Sequence, residues 1–376
     1  MKAGWETKKL GEIIQLEYGK PLADSDRNPN GLYPAYGANG IKDRTDKFYK
    51  GESSIIVGRK GSAGEVTLTE KKYWPLDVTF FVEFDREKYE LLYLYFLLLT
   101  LNLPSMAKGV KPGINRNDIY DITVTTPDIE EQRRIVTLLD KAFADIAKAK
   151  ANAEKNLQNA REYCEGLMQA LFPDDENVAP DSPALDSLCE LIVDCEHKTA
   201  PTQETGIPSI RTPNIGKGRL ILEGVYRVSN QTYSEWTRRG EPQGGDLILA
   251  REAPAGNVAV IPEGTKVCLG QRTVLIRPKK SVFEPAYLAQ LLLRQNSQRR
   301  LLAHSRGATV QHINMKDIRA FKIGAIPSLA DQQRIVSQVN ELFDAEDLLV
   351  SIYSQKLTAL DALKKSLLHQ AFSGQL

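Results

Sequence analysis

"PDIEEQRRIV" (Pro127–Val136) returns 200 positions later as "PSLADQQRIV" (Pro327–Val336). Each copy places a proline and a capping residue ahead of an acid, then runs into Gln-x-Arg-Ile-Val. That is the start of a helix, written twice: Asp128 caps with Glu131 three positions on, and Ser328 does the same with Asp331. The echo extends outward. "IIVGRKGSAGEVTL" (Ile55–Leu68) matches "LILAREAPAGNVAV" (Leu247–Val260), so that Arg59 meets Arg251 and Ala63-Gly64 meets Ala255-Gly256. "YLYFLLL" from Tyr93 matches "YLAQLLL" from Tyr287, and "GINRNDI" (Gly113–Ile119) matches "HINMKDI" (His312–Ile318). All lie in the same order at offsets of 192 to 200, so the chain is a tandem duplication.

Behind each motif the apolar residues recur three and four apart. Ile135, Leu139, Ala142, Ile146, Ala149, Ala153, Leu157, Ala160, Cys164, Leu167 and Leu171 form one seam. The second copy runs Ile335, Val339, Leu342, Leu349, Tyr353, Leu357, Leu360 and Leu367, with Glu346 interrupting it. No proline breaks either run, and at 1.5 Å per residue each helix spans roughly 65 Å. A narrow seam of that length needs a partner. One partner is the other copy, necessarily antiparallel; the alternative is each helix lying on its own globular region.

The division expected is 1–126 for the first globular domain, 127–172 for its helix, and 173–185 for a Pro- and Asp-rich linker. The second domain then takes 186–326 and the second helix 327–376. "SSIIVG", "EVTLT" and "VTFFVEF", with their counterparts "DLILA", "NVAVI" and "RTVLIR", are strand-length β-rich runs. One good helix, around Tyr93 or Tyr287, interrupts each set, which predicts α+β domains with a mostly antiparallel sheet. The whole is expected to be pseudo-two-fold symmetric, two similar domains held apart by a coiled-coil spacer.

Composition narrows the functional classes. Charged residues are 26% of the chain and the net charge is +1, so any nucleic-acid surface must be local rather than a basic tail. Cys164, Cys189, Cys195 and Cys268 show no regular spacing and point to a reducing compartment. Cys189, Cys195 and His197 are a weak metal pattern, and no metal is expected. The polar start "MKAGWETKKLGEI" carries no signal peptide, and "ELLYLYFLLLTLNL" (Glu90–Leu103) is too short to span a bilayer and is expected as a buried helix.

Symmetric domains at a fixed separation suit a DNA reader meeting two half-sites. The repeated Pro-x-x-x-Glu-Gln-x-Arg-Ile-Val after an α/β region resembles the specificity subunit of type I restriction-modification systems. "IPSIRTPNIGKG" (Ile207–Gly218) and "GDLILAREAPAGNVAVI" resemble its target-recognition segments, and the likeness covers the whole chain. The second copy departs slightly, with Ala330-Asp331-Gln332 where the first has Glu130-Glu131-Gln132. The resemblance implies that each globular region is a target-recognition domain reading half of a split double-stranded DNA sequence. It also implies that the helices bind two modification (methyltransferase) subunits, joined in the full complex by restriction/translocase subunits. S-adenosylmethionine, ATP and Mg would then belong to those partners, with no cofactor in this chain, no membrane, and a bacterial or archaeal cytoplasm as the setting.

The residues agree with a non-catalytic subunit. An adenine methyltransferase needs an Asn/Asp-Pro-Pro-aromatic segment, which does not occur here. "GRKGSAG" (Gly58–Gly64) lacks the Gly-Lys-Ser/Thr ending of a phosphate loop and reads as a turn between strands. "TEKK" has the Glu-x-Lys of some nucleases without a Pro-Asp before it, and the four histidines are scattered. The runner-up from another class is a coiled-coil adaptor whose two domains bind protein.

Candidate DNA contacts follow from the preference of Arg and Lys for guanine and phosphate and of Asn and Gln for adenine. In the first domain they are Tyr36, Asn39, Lys42 and Arg44 in a glycine-containing loop, with Arg59, Lys60 and Lys111. In the second they are Arg211, Asn214, Lys217, Arg219, Arg251 and Gln311. Gln132 with Arg134, and Gln332 with Arg334, are candidate contacts to the methyltransferase subunits; packing against their own domain is the other reading.

Overall fold

The structure is a computed structural model that describes residues 4–173, 178–303 and 311–376. Positions 174–177 of the expected linker, the first three residues of the polar start, and His304 lie outside the described residues. The chain divides into two compact units: Met1–Asn156 with Ile352–Leu376, and Leu157–Ser351. Each unit therefore takes a globular region together with part of both long helices.

Unit 1 contains β1 (Glu6–Lys9), β2 (Ile14–Tyr18), β3 (Tyr33–Gly37), β4 (Gly40–Thr45), β5 (Ile55–Gly58), β6 (Val66–Leu68), β7 (Trp74–Pro75), β8 (Thr79–Phe84) and β9 (Thr123–Thr126). Its helices are α1 (Leu91–Thr100), α2 (Arg116–Tyr120) and the first part of α3 (Ile129–Ala170). The main sheet is antiparallel in the order β2-β8-β5-β6; a second sheet runs β4-β3-β7, and β1 pairs with β9. Tyr93, Leu94, Phe96, Leu97 and Leu98 of α1 are buried against this sheet's Leu16, Ile55 and Phe80, which accounts for the apolar run from Glu90. Among the described residues no helix is long and apolar enough to cross a membrane.

Unit 2 repeats the plan and adds to it. After α4 (Leu185–Leu188) come β10 (Cys189–Asp194), β11 (Ile207–Ile210), β12 (Gly218–Arg219), β13 (Arg227–Val228), α5 (Asn230–Trp236), β14 (Leu247–Ala250), β15 (Val258–Val260), β16 (Cys268–Leu269) and β17 (Thr273–Pro278). Helices α6 (Pro285–Leu293), α7 (Gln295–Leu302), α8 (Met315–Arg319) and the start of α9 (Leu329–Phe372) follow. The sheet order β10-β17-β14-β15-β12 reproduces that of unit 1 with one strand added at the edge, where β12 joins β15 in parallel. The expectation of a single good helix per domain holds less well here. Ser229 caps α5 by accepting from the Thr232 amide at 3.0 Å, and Gln298 of α7 donates to Leu292 and Gly256 carbonyls. Neither helix has the long apolar periodicity that would have announced it.

Registers make the duplication concrete. Tyr18 pairs with Phe80, which pairs with Val57, which pairs with Val66; Asp194 pairs with Val274, which pairs with Leu249, which pairs with Val258. Tyr18 and Asp194 thus hold the same place, as do the turns that leave β5 and β14. The Ala-Gly shared by these turns has a steric cause. Gly64 (φ +84°) and Gly256 (φ +92°) return their amides to the Gly58 and Ala250 carbonyls at 2.7 and 2.8 Å. A Cβ on Gly64 would fall 2.4 Å from the Leu103 backbone, and one on Gly256 2.3 Å from the Gln298 side chain.

Both caps form as the motif predicts: Asp128 accepts from the Glu131 amide at 2.9 Å and Ser328 from the Asp331 amide at 3.2 Å. The first turns then bury Ile135, Val136 and Leu139 in the core of unit 1, and Ile335 and Val339 in that of unit 2. Further along, the two helices run antiparallel within each unit. In unit 1, Lys150 meets Asp361 at 2.7 Å, Lys364 lies over the Phe143 ring at 4.9 Å, and Arg134 donates to the Leu376 carbonyl at 2.9 Å. In unit 2, Arg161 faces Glu346 at 3.9 Å, so the residue that interrupts the second seam has an opposite charge across from it. Each unit also buries the far end of the helix that begins in the other half: Phe172 stacks on Tyr287 at 5.2 Å, and Phe372 tilts against Tyr93 at 5.1 Å.

Candidate nucleic-acid interface

Three loops of unit 1 converge. The turn after β5 lies against the β3–β4 hairpin tip, since a Cβ on Gly58 would sit 2.6 Å from the Ala38 carbonyl. It also binds the segment before α2: Gly61 donates to the Pro112 carbonyl at 2.9 Å, and Ile114 to the Arg59 carbonyl at 3.1 Å. This brings Asn39, Lys42, Lys60 and Lys111, all exposed, onto neighbouring loops. Arg59 lies between them, half-buried, donating Nε and Nη2 to the Asp77 carbonyl at 3.2 and 2.6 Å. Its guanidinium stands 5.3 Å from the ring centre of Tyr18, and Arg116 stands 5.2 Å from the same ring. A half-exposed tyrosine beside two guanidinium groups, with lysines on the neighbouring loops, offers both charge and an aromatic surface to a nucleic acid.

Two of the unit 1 candidates do not belong to that face. Tyr36 is 3% exposed; its hydroxyl accepts from the Glu70 amide at 3.0 Å and its ring meets Tyr73 edge-on. Burial pushes its phenol pKa up, so it is a neutral core group. Arg44 donates to the Gly31 and Leu32 carbonyls at 2.7 and 3.0 Å and ties the hairpin to the preceding turn. Conversely, Tyr18, Lys108 and Arg116 join the face without having been expected there. Tyr18 comes from a strand end about ninety residues before the loop and short helix that carry Lys108 and Arg116, and no local pattern connects them.

Unit 2 carries different chemistry on the same scaffold. Arg251, the counterpart of Arg59, is 8% exposed. It donates to Asp194 at 2.5 Å, to the Ile313 carbonyl at 2.9 Å, and meets His312 Nε2 at 2.8 Å. A guanidinium can only donate, so Nε2 accepts and the proton sits on Nδ1, which donates to Glu252 at 2.6 Å. Arg272 completes the chain at 2.9 Å from Glu252, and His197 lies 3.2 Å from Asp194. Arg251 is therefore not a DNA-facing side chain: with a carboxylate where unit 1 has Tyr18, the arginine turns inward and fixes the turn.

The other basic candidates of unit 2 lie elsewhere. Arg211 stands over the Tyr226 ring at 5.2 Å, Lys217 is exposed, and exposed Arg219 lies 3.8 Å from Asp347. Asn214 is occupied by its own turn, accepting from the Arg211 amide at 3.1 Å and donating to the Ile221 carbonyl at 3.2 Å. The Asn257 amide binds the Ile215 carbonyl at 2.9 Å and fixes this loop beside the β14–β15 turn. Gln311 is exposed ahead of α8.

The glutamines of the repeated motif do one job in both units. Gln132 accepts from the Glu90 amide at 2.9 Å and donates to the Lys88 and Pro127 carbonyls at 3.1 and 2.9 Å. Gln332 makes the same three bonds to Glu284, Val282 and Pro327. Both are fully buried, so of the two readings their own domain takes them and no face is left for another subunit. Arg134 and Arg334 remain exposed, each bonded to the acid three residues before it, Glu131 and Asp331. Cys189 and Cys195 lie at opposite ends of β10 in separate apolar clusters. Among the described residues no group of three or more His, Cys, Asp or Glu is placed to hold a metal ion.

One fold, used twice, with divergent loop chemistry on equivalent turns, defines a recognition protein of two parts. The chain belongs to the type I restriction modification DNA specificity family, whose domain matches residues 2–155 and again 192–355. Among curated relatives, the EcoBI specificity subunit of Escherichia coli is 21% identical, covering 89% of this chain and 78% of that protein. The EcoDI specificity subunit of the same organism is 24% identical over 99% and 88%. The MjaVIII specificity subunit of Methanocaldococcus jannaschii is 22% identical over 99% and 93%. In fold, the chain matches a structure described for complex assembly and conformational transition of the type I R-M system, with TM-score 0.76 at 18% identity, covering 100% of this chain and 99% of that one. It also matches the HsdS subunit from Thermoanaerobacter tengcongensis, with TM-score 0.62 at 18% identity over 100% and 98%.

Proposed function

We propose that this chain reads a bipartite, asymmetric DNA target, one half per unit, as the specificity subunit of a type I restriction-modification complex. The observation that carries this reading is the contrast at the equivalent turns. Arg59 with Lys60 and Tyr18 presents cations and a ring outward, whereas Arg251 is locked inward by Asp194 and the outward cations include Arg211, Lys217 and Arg219. Similar scaffolds with unlike reading faces suit two unlike half-sites.

The long helices fix the distance between half-sites and dock two modification subunits through their exposed faces, with Arg134 and Arg334 at the helix starts. S-adenosylmethionine, ATP and Mg serve the partner subunits, and adenine methylation and cleavage are their chemistry. Restriction/translocase subunits complete the assembly in a bacterial or archaeal cytoplasm. Methylome sequencing of cells given this gene with its modification subunit tests the reading directly. A split, asymmetric methylated motif is the expected result; no new motif, or an uninterrupted one, would overturn it. Loss of affinity for duplex DNA with a steep salt slope separates this from a protein-binding adaptor, which would show no such slope.

A further inference from the structure

The most prominent exposed apolar group of unit 1 stands on the candidate DNA face. Val110 is fully exposed, at the apex of the segment Lys108–Gly113. This segment is a closed, pinned hairpin. Lys108 and Gly113 exchange both backbone hydrogen bonds, at 2.9 and 3.0 Å, and Gly109 takes φ +93° to turn the chain. Bonds from Gly61 to Pro112 and from Ile114 to Arg59 then fasten it to the turn that carries Arg59 and Lys60. Pro112 beside the closing Gly113 and a bonded base mean that Val110 is held out in water with little freedom to withdraw.

This rigid apolar tip stands beside exposed Lys60 and Lys111, so an uncharged contact group is held among cations suited to phosphate. The geometry points to Val110 as an apolar base-reading contact, seated in the major groove against the C5-methyl of a thymine in the half-site that unit 1 reads. This rests on the DNA-reading role proposed above. The choice of groove follows from the ligand group: the thymine C5-methyl is displayed in the major groove, whose ≈ 12 Å width admits a closed turn such as Lys108–Gly113. The choice of contact follows from the side chain, which has no donor or acceptor and can recognise only the thymine methyl among major-groove features. The lysines on either side of the tip reach phosphates and set its depth.

The test uses the chain assembled with its modification subunits and competes three duplexes: the target defined by methylome sequencing, the same target with deoxyuridine for thymine in the unit 1 half-site, and an unrelated sequence. Loss of one buried methyl contact should weaken the wild-type complex about fourfold on the deoxyuridine duplex. Val110→Ser should bind the thymine duplex about as weakly as wild type binds deoxyuridine, and should no longer distinguish the two. Equal wild-type affinity for both target duplexes overturns the inference while leaving the DNA-reading role intact. So does a Val110→Ser complex that keeps the thymine preference. Failure of the wild-type complex to prefer its target over the unrelated duplex would remove the role itself.

Discussion

Arg251→Met and Arg59→Met should give opposite phenotypes although the two arginines are sequence counterparts. Arg251 and Asp194 are 10% and 15% exposed in their side chains, and the pair is joined at 2.5 Å. Removing the guanidinium leaves a nearly buried carboxylate without its main partner and the Ile313 carbonyl without its donor. Breaking such a pair costs about 3–5 kcal/mol when burial is complete. The residual exposure and the neighbouring His197 at 3.2 Å reduce this to about 2–4 kcal/mol. For a unit of this size, about 2–4 °C per kcal/mol puts the fall in melting temperature near ~8 °C. Arg59 is half-exposed and bonds only a carbonyl, so Arg59→Met should shift stability by less than about 1 kcal/mol. Its effect should appear in DNA affinity, as a loss of about tenfold and a salt slope shallower by about one. Differential scanning calorimetry with a salt-dependent binding titration reads both quantities. An Arg251→Met protein that melts like wild type but binds DNA poorly would refute the inward assignment of this arginine.

Gln132→Leu removes the partner of the Glu90 amide and of two carbonyls, so unit 1 should lose at least about 2 kcal/mol in urea unfolding, with faster hydrogen exchange at Glu90. Unchanged exchange at that amide would show that the bond is not formed. Burial pushes the Cys189 and Cys268 thiols up to about 12, so at pH 8 they stay protonated; a thiol reagent should leave both unmodified until urea is added, and rapid labelling of the native chain would contradict their burial. Inserting seven residues at matched points in α3 and α9 keeps the seam in phase and adds about 10 Å to each helix. The gap in the methylated motif should widen by about three base pairs; an unchanged gap would argue against the helices as the determinant of spacing.

The duplicated helix starts were legible because capping and seam periodicity are local. Asp128, Ser328, Ile135 and Val339 need only their own neighbours in sequence to declare themselves. Strands such as Ile55–Gly58 and Leu247–Ala250 were legible for the same reason. The direction of a side chain at the end of a strand was not. Whether Arg59 or Arg251 faces solvent is decided by Tyr18 or Asp194, which arrive beside them only when the sheet closes. Tyr36 and Arg44 looked like loop residues of a reading face because their partners, the Glu70 amide and the Gly31 carbonyl, are backbone groups that no residue type announces. The same holds for Gln132 and Gln332, whose polar character concealed three backbone bonds each.

Phe372 and Ala371 belong to the core of unit 1, separated in the chain from the rest of that core by the whole of unit 2. On the ribosome the sheet of unit 1 emerges before unit 2, yet the piece that covers Tyr93 is translated after unit 2. The half made first is thus the half finished last. It must wait, with part of its apolar surface open, while the second half is synthesised and takes up Phe172 from the first long helix. A premature stop in α9 beyond Ser351 would therefore harm the N-terminal domain more than the domain it follows.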